Sequence, residues 1–197
     1  MTTILLTNDD GIGVSGLTVL GRALSQLGRV VIVAPDRDVS AVSHALTLTH
    51  PLRVTQHEKD VYSVDGTPTD CVNLGIFNLL DKKVDLIVSG INRGYNLGDD
   101  VTYSGTVAAA FEGTLLGYPS LAISRAPLPA TGEAGSRWGL DPEASYEPAA
   151  AFSADLALRV LERRLPADTL LNVNVPLPPL RGVRCTRLGR RIYKEGV

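Results

Sequence analysis

Short, continuously apolar segments alternate with segments of helical periodicity along this chain, and the alternation decides the fold class. The apolar segments have the length of buried strands and run over Thr3–Thr7, Val30–Ala34, Val84–Val88, Ser120–Ser124 and Leu170–Val175. Strands that are apolar on both faces are typical of a parallel sheet covered by helices on each side. The pattern therefore predicts an α/β fold with a doubly wound, mostly parallel sheet and right-handed crossovers.

The helical segments lie between these strands. Leucines at helical spacing predict a helix over Ser15–Leu27, and Thr67 followed by Pro68 and an acid predicts the capped start of a helix that runs to Leu80. An Ala-rich pattern opens another helix at Thr106, and the last one is predicted over Ala149–Leu165. We expect one domain over residues 1–197.

Three segments depart from the alternation. Between Leu46 and Val64, the Thr- and Val-rich pieces LTLTHPLRV and VYSV flank a charged turn and predict a β-hairpin at the sheet edge. Arg125–Pro142 is rich in Pro, Gly and Ala and predicts a long surface loop whose role is not evident. The residues from about 176 to 197 predict a small extended C-terminal extension with an Arg-rich β-like piece.

Charge and composition exclude several classes of partner. The formal net charge is −2 and no long basic run is present, so the chain has no electrostatic footprint for a nucleic acid polymer, although a mononucleotide can bind locally. No apolar stretch of roughly 18 residues predicts a membrane span. Cys71 and Cys185 lie far apart and predict buried free thiols rather than a disulfide or zinc knuckle. We expect a soluble cytoplasmic protein without a membrane partner.

Polar residues follow three of the predicted strands. Asp9 and Asp10 follow the first strand, Ser40 lies in the polar segment after the second, and Asn92 follows the strand that begins at Val84. Parallel strands end at the same edge of a sheet, so these side chains can converge. The set contains only oxygen donors, which suits Mg²⁺, Mn²⁺ or Ca²⁺ rather than zinc or copper. Each residue alone can also serve a turn or a cap, but adjacent carboxylates repel unless a cation or strong hydrogen bonds hold them.

A possible anion site lies farther along, at Ser104-Gly105-Thr106, where the Ala-rich helix begins. The free backbone N–H groups of a helix N-terminus bind anions, phosphate in particular. Ser and Thr are also ordinary N-caps, so the alternative is that Ser104 or Thr106 only caps the helix.

The three histidines lack the spacing of metal ligands. We predict structural or surface roles for His44, His50 and His57, with His44 close enough in sequence to Ser40 to enter the site.

A rival motif runs over Gly11–Gly16. It reads G-x-G-x-x-G after a strand, with Asp36 at about the right distance to meet a ribose, so an NAD-type dinucleotide-binding oxidoreductase is the competing hypothesis. Asp9 and Asp10 count against it, because they would place two negative charges beside the pyrophosphate. No Lys follows a Gly-rich loop as in a Walker A sequence, which disfavours a kinase or ATPase. A non-catalytic nucleotide-binding regulator is a third hypothesis.

Four blocks of the sequence carry a specific resemblance: TNDDG, PDRDVS, DGTPTDCV and SGINRGYNLGDDVTYSGTVAAAFEG. In order and spacing they resemble the signature blocks of the SurE family, the stationary-phase survival proteins, known as metal-dependent 5′-nucleotidases with broader activity on nucleoside monophosphates. The resemblance implies a Rossmann-like fold, a divalent metal and assembly into homodimers or homotetramers. It implies metal ligands at Asp9, Asp10, Ser40 and Asn92 and phosphate contacts at Asn96, Ser104, Gly105 and Thr106.

The chain departs from the family pattern in two places. Ala41 stands where the family usually has Gly, and a backbone with positive φ would be strained there. The sequence ends at Val197, whereas family members generally continue, so we expect the C-terminal part to be truncated or partly disordered.

Taken together, these features predict a phosphatase that uses one divalent cation, Mg²⁺ or Mn²⁺, to hydrolyse nucleoside 5′-monophosphates. Ser104, Gly105 and Thr106 would hold phosphate oxygens as preorganised donors. Asp9 or Asp10 would accept the proton of the attacking water. We expect direct attack by water, because a carboxylate that ligates a metal is a weakened nucleophile.

Overall fold

A seven-stranded sheet forms the centre of the computed structural model, which describes residues 1–80, 83–128 and 142–190. The strand order is β3-β4-β2-β1-β5-β6-β7, and every neighbouring pair is parallel except β3 and β4. The strands are β1 Thr3–Thr7, β2 Arg29–Pro35, β3 Val54–Glu58, β4 Val61–Val64, β5 Leu86–Arg93, β6 Ser120–Arg125 and β7 Leu170–Val175. The predicted mostly parallel sheet is confirmed.

Helices cover both faces of the sheet. They are α1 Ser15–Leu24, α2 Pro68–Leu74, α3 Gly105–Leu115 and α4 Glu147–Arg163. Helices α1 and α4 pack on one face in an apolar core, and α2 and α3 pack on the other. Strands β1, β5 and β6 lie between the two layers, which explains why their sequences are apolar on both sides. The doubly wound, Rossmann-like arrangement is therefore confirmed.

The direction in which successive strands are added to the sheet reverses between β1 and β5. From β1 the chain proceeds to β2 and β4 on one side, and it then crosses to β5, which pairs with the other edge of β1. In open α/β sheets, the loops that leave two such strands diverge and form a crevice at the carboxyl ends of the strands. This is the point where ligands bind.

The start of α2 follows its sequence closely. The Thr67 hydroxyl accepts a hydrogen bond from the Asp70 backbone N–H, and the Asp70 carboxylate accepts one from the Thr67 backbone N–H, which completes a capping box. Pro68 occupies the first turn, where its missing N–H costs nothing. The helix is shorter than predicted and continues as a π-helical turn over Gly75–Leu79.

The predicted hairpin is confirmed in its second half and wrong in its first. Strands β3 and β4 form an antiparallel edge pair, but residues 46–53 form no strand. The reason is that Thr47 donates its backbone N–H and its hydroxyl to the Asp70 carboxylate, at 3.0 and 2.6 Å. The polar groups of this segment therefore bind the start of α2 instead of a neighbouring strand.

The C-terminal part of the described chain lies along the surface. Residues 176–190 contain no helix or strand, so the predicted β-like piece is absent there, and residues 191–197 lie outside the described ranges. Cys71 is a buried free thiol as predicted, whereas the prediction for Cys185 is wrong because this residue is exposed. Positions 129–141 of the predicted loop also lie outside the described ranges. Within those ranges, no helix is both long and apolar enough to cross a lipid bilayer.

An ion pair ties the hairpin to the sheet, and its removal should be visible in the stability. Arg29 Nη2 and Nε lie 2.6 and 3.0 Å from the two carboxylate oxygens of Asp60. The hydrogen bond from Arg29 lowers the pKa of Asp60. Asp60 has a φ of 65°, which Asn also tolerates. We therefore expect Asp60→Asn to lower the free energy of unfolding by about 1 kcal/mol at pH 7.

The stability difference between the wild type and Asp60→Asn should decrease as the pH falls. Because the pKa of Asp60 is lower in the folded state, its stabilisation is present above the unfolded-state pKa of about 4 and is lost as the pH falls through the folded-state pKa. Urea denaturation of the wild type and Asp60→Asn from pH 7 to pH 3 measures this. The difference should narrow below pH 4, and a constant difference would contradict the assignment.

Candidate active site

Asp9 joins the end of β1 to the start of α3. Its Oδ1 accepts a hydrogen bond of 2.5 Å from the Thr106 hydroxyl, and its Oδ2 accepts one of 3.0 Å from the Thr106 backbone N–H. Both residues are buried. A Cβ at Gly105 would lie 2.8 Å from the Cβ of Asp9, so the close approach of the helix to β1 requires glycine at this position.

Asp10 is only partly satisfied. Arg93 Nη2 and Nε lie 3.3 and 3.4 Å from its Oδ1, whereas its Oδ2 is buried without a hydrogen-bond partner. A buried carboxylate oxygen without a partner is costly. Arg93 comes directly after Asn92 in the sequence but was not among the predicted site residues. The available signal was its place next to a predicted metal ligand, at the end of β5.

Burial raises the pKa values of both carboxyl groups. It raises the pKa of Asp9 to about 6, against the hydrogen bonds from Thr106 and together with the negative charge of Asp10. Burial also raises the pKa of Asp10, which Arg93 lowers and Asp38 raises further. A positive charge beside this pair would favour the ionised forms.

The loop after β2 reaches the same place. The Val39 backbone N–H donates to the Asp9 backbone oxygen at 2.9 Å. The side chain of Ser40 is exposed at this edge, and its hydroxyl donates to Asp38 Oδ1 at 2.6 Å. Asp38 Oδ2 in turn lies 3.9 Å from Arg93 Nη2. Asp38 and Arg93 therefore link Ser40 to Asp10 through side-chain contacts.

Asn92 is part of β5, which runs to Arg93 and does not end at Val88 as predicted, and Asn96 lies in the loop that follows. The Asn92 side-chain N–H donates to the Gly94 oxygen at 2.9 Å. Asn96 is buried, and its side-chain N–H donates to Ser124 Oγ at 2.9 Å. Its backbone N–H donates to Asn174 Oδ1 at 2.9 Å. Asn96 is thus anchored to β6 and β7.

The start of α3 uses its polar groups for structure as well. Ser104 is the N-cap, and its hydroxyl accepts the Val107 backbone N–H at 3.1 Å. The Thr106 backbone N–H donates to Asp9. The capping role is therefore present, and the anion that the first turn of the helix binds in this structure is the carboxylate of Asp9. The phosphate contacts at these positions and at Asn96 stay predictions.

These residues fit a hard divalent cation. In the described parts of the chain, no cluster of three or more His, Cys, Asp or Glu side chains could hold a metal ion. The predicted set contains only two carboxylates, with a hydroxyl and an amide oxygen beside them. Such a set suits Mg²⁺, Mn²⁺ or Ca²⁺, which bind oxygen atoms and retain waters. The buried Asp10 Oδ2 is an oxygen atom that still lacks a partner.

Comparison with known proteins identifies the family of this chain. A family model described as Survival protein SurE matches residues 4–195. The chain belongs to the SurE family. A SurE protein from Geobacter sulfurreducens, named 5′-nucleotidase SurE, is 55% identical over 193 residues, which are 96% of this chain and 69% of that protein. A relative of the same name from Syntrophotalea carbinolica is 54% identical over 98% of this chain and 73% of its own length.

A solved SurE structure has the same fold. The crystal structure of the SurE protein from Aquifex aeolicus superposes with a TM-score of 0.86 at 46% identity, over 98% of this chain and 74% of that chain. Ala41, which stands where the resemblance implies glycine, has a φ of 58°. An alanine therefore adopts the backbone conformation that glycine would adopt without strain.

The bond between Thr106 and Asp9 should contribute measurably to stability. Thr106→Val keeps the shape of the side chain but removes the hydroxyl that Asp9 Oδ1 accepts. Because a buried hydrogen bond to a charged group is lost, we expect the free energy of unfolding at pH 7 to fall by about 2 kcal/mol in urea denaturation. Thr106→Ser retains the hydroxyl but removes a buried methyl group, and it measures the cost of packing separately. A Thr106→Val variant as stable as the wild type would contradict the contribution of the hydrogen bond.

Proposed function

We propose that this chain is a divalent-metal-dependent phosphatase that hydrolyses nucleoside 5′-monophosphates to nucleoside and phosphate. The observation that carries the proposal is the buried pair Asp9 and Asp10 at the switch point of the sheet, with one oxygen of Asp10 lacking a partner. The names of the SurE relatives, 5′-nucleotidase SurE, support this activity.

Asp9, Asp10, Ser40 and Asn92 would hold one Mg²⁺ or Mn²⁺, and Ca²⁺ fits the same oxygen donors. When bound, such a cation neutralises charge on the transferring phosphoryl group and lowers the pKa of a coordinated water.

The side chains have separate tasks in this scheme. Asp9 or Asp10 accepts the proton of the water that attacks phosphorus. The Ser104 hydroxyl and the Gly105 backbone N–H orient the phosphate oxygens at the start of α3, and Asn96 contacts the phosphate from the β5 loop. Thr106 binds both oxygens of Asp9, so its first task is to hold this carboxylate in place, and its predicted phosphate contact is the less direct one.

The two alternatives have less support. For an oxidoreductase, Asp36 would have to bind a ribose, but its carboxylate contacts the neighbouring Arg37 at 2.6 Å. Asp9 and Asp10 would also stand near the pyrophosphate. A non-catalytic regulator would bind nucleoside monophosphates without turnover.

We also propose that the protein is cytoplasmic, forms a homodimer or homotetramer, and has no nucleic acid polymer or membrane as partner. Cys71 and Cys185 are both unpaired, which is usual in a reducing compartment. The exposed apolar side chains of the segment 176–190 favour association with a second copy; they are Leu177, Leu180, Val183 and Leu188. Light scattering after size exclusion tests the assembly.

The central test is phosphate release from a panel of nucleoside monophosphates with Mn²⁺. We expect Asp9→Asn and Asp10→Asn to lower turnover by about 10³-fold, because each substitution removes a metal ligand and a potential proton acceptor. Asp36→Asn is the matched control at an exposed carboxylate of the β2 loop and should retain activity. Near-normal turnover in either site variant would remove that residue from the site.

Removal of the metal gives an independent readout. A chelator should abolish phosphate release, and Mg²⁺ or Mn²⁺ should restore it. Activity that does not respond to the chelator would reject the metal mechanism. Saturable NAD binding without phosphate release would favour the oxidoreductase, and tight monophosphate binding without product would favour the regulator.

A further inference from the structure

The loop that carries Ser40 adopts a conformation that its sequence does not favour. Ala41 and Ser43 have φ angles of 58° and 57°, in the left-handed region that non-glycine residues rarely adopt. Such residues persist when the surrounding structure determines their conformation. Residues 38–47 form no helix or strand, so their position depends on contacts with other parts of the chain.

Several hydrogen bonds hold this loop. At its start, the Val39 backbone N–H binds the Asp9 backbone oxygen at 2.9 Å. At its end, Thr47 binds Asp70 through two hydrogen bonds. In its middle, the Ser43 backbone N–H donates to the Tyr103 oxygen at 3.1 Å, and its hydroxyl donates to the Thr102 oxygen at 2.8 Å.

His44, in the middle of the loop, contacts a buried carboxylate. His44 Nε2 lies 2.6 Å from Glu112 Oε2, and Asn73 Nδ2 donates to Glu112 Oε1 at 2.7 Å. The Glu112 side chain is only 10% exposed. The His44 ring also packs edge-on against Phe111, with ring centroids 5.2 Å apart. Both oxygens of this carboxylate are thus engaged, one of them by the loop.

Helix α3 connects this contact to the candidate active site. Thr106, in its first turn, binds Asp9, and Glu112 follows six residues later, about 9 Å along the helix axis. The same helix therefore contacts both the end of β1 and the loop of Ser40. The start of this loop also binds Asp9 directly, through Val39.

We propose that His44 is a positioning residue for the metal site. Its bond to Glu112 holds the loop so that Ser40 can join Asp9 and Asp10 around a divalent cation. The proposal rests on the proposed function, because it assumes that Ser40 is a metal ligand. A merely structural role for His44 would change the stability of the fold but not the affinity of the folded protein for the cation.

The test measures the dissociation constant of Mn²⁺ by titration calorimetry on the folded, full chain. His44→Phe keeps the ring contact with Phe111 but removes the bond to Glu112, and we expect about tenfold weaker binding of Mn²⁺. His44→Gln keeps an N–H donor at similar reach and should bind within about threefold of the wild type. His57→Phe is the matched control, since it removes a histidine bond to Ser63 in the edge hairpin.

A double-mutant cycle identifies the route. If His44 acts through Ser40, His44→Phe should weaken Mn²⁺ binding about tenfold in the wild type and by less than about twofold in Ser40→Ala. An undiminished effect in Ser40→Ala, or equal affinities of His44→Phe and His57→Phe, would overturn the proposal. If His44→Phe does not fold, His44→Leu replaces it, because its side chain also has no N–H group to donate to Glu112. It should weaken binding at least about threefold, and unchanged affinity would again overturn the proposal.

The two proposals fail differently. If the wild type binds no Mn²⁺, the metal site itself is rejected and the positioning role with it. If the wild type binds Mn²⁺ and His44→Phe binds it equally well, only the positioning role is rejected. Amide hydrogen exchange of residues 38–47 without metal should be faster in His44→Phe than in His57→Phe, and equal rates would also overturn the positioning role.

Discussion

The contact between the Asp9 carboxylate and the first turn of α3 underlies the rest of the site. It brings together the end of the central strand and the start of a helix from 97 residues later in the chain. The interaction is favourable because a helix N-terminus carries partial positive charge and free N–H groups. It depends equally on a missing atom, since any side chain at Gly105 would collide with Asp9. Charge and shape together fix the crevice between β1 and β5.

Neighbouring groups compensate in part for the burial of the two carboxylates. For Asp9, the desolvation cost is offset by two hydrogen bonds from Thr106. For Asp10, it is offset in part by Arg93, through long contacts to one oxygen only. The remaining cost appears in the raised pKa values of both residues. Raised pKa values of carboxylic acids at the carboxyl ends of the strands are typical of functional sites.

The sequence was a good guide wherever local rules decide the structure. Strand β7 has the predicted bounds, and the capping box of Thr67 and Asp70 is present. The convergence of the strand-end loops followed from parallel pairing alone. The strand prediction for residues 46–53 is wrong because a Thr-rich pattern resembles a strand, whereas Thr47 binds a partner 23 residues away, Asp70. Such partners are invisible to periodicity.

The same limit explains what was missed in the site. Arg93 stands 83 residues from Asp10 in sequence, and Glu112 stands 68 residues from His44. Glu112 in particular looks like one polar position in an Ala-rich helix, and only the folded chain reveals that it is buried. Metal-ligand roles could be predicted from the sequence for Asp9, Asp10, Ser40 and Asn92 because each carries an oxygen donor and lies near the end of a predicted strand.

Arg93 lies between Asp10 and Asp38 and places a positive charge beside both carboxylates. The guanidinium is a resident countercharge, built into the chain and therefore present from the moment β5 joins β1. If a divalent cation binds at Asp10 as proposed, folding and metal loading are separate events, because Arg93 already supplies a positive charge in the folded chain. The cation would then have to compete with this guanidinium, which favours exchangeable rather than permanent binding.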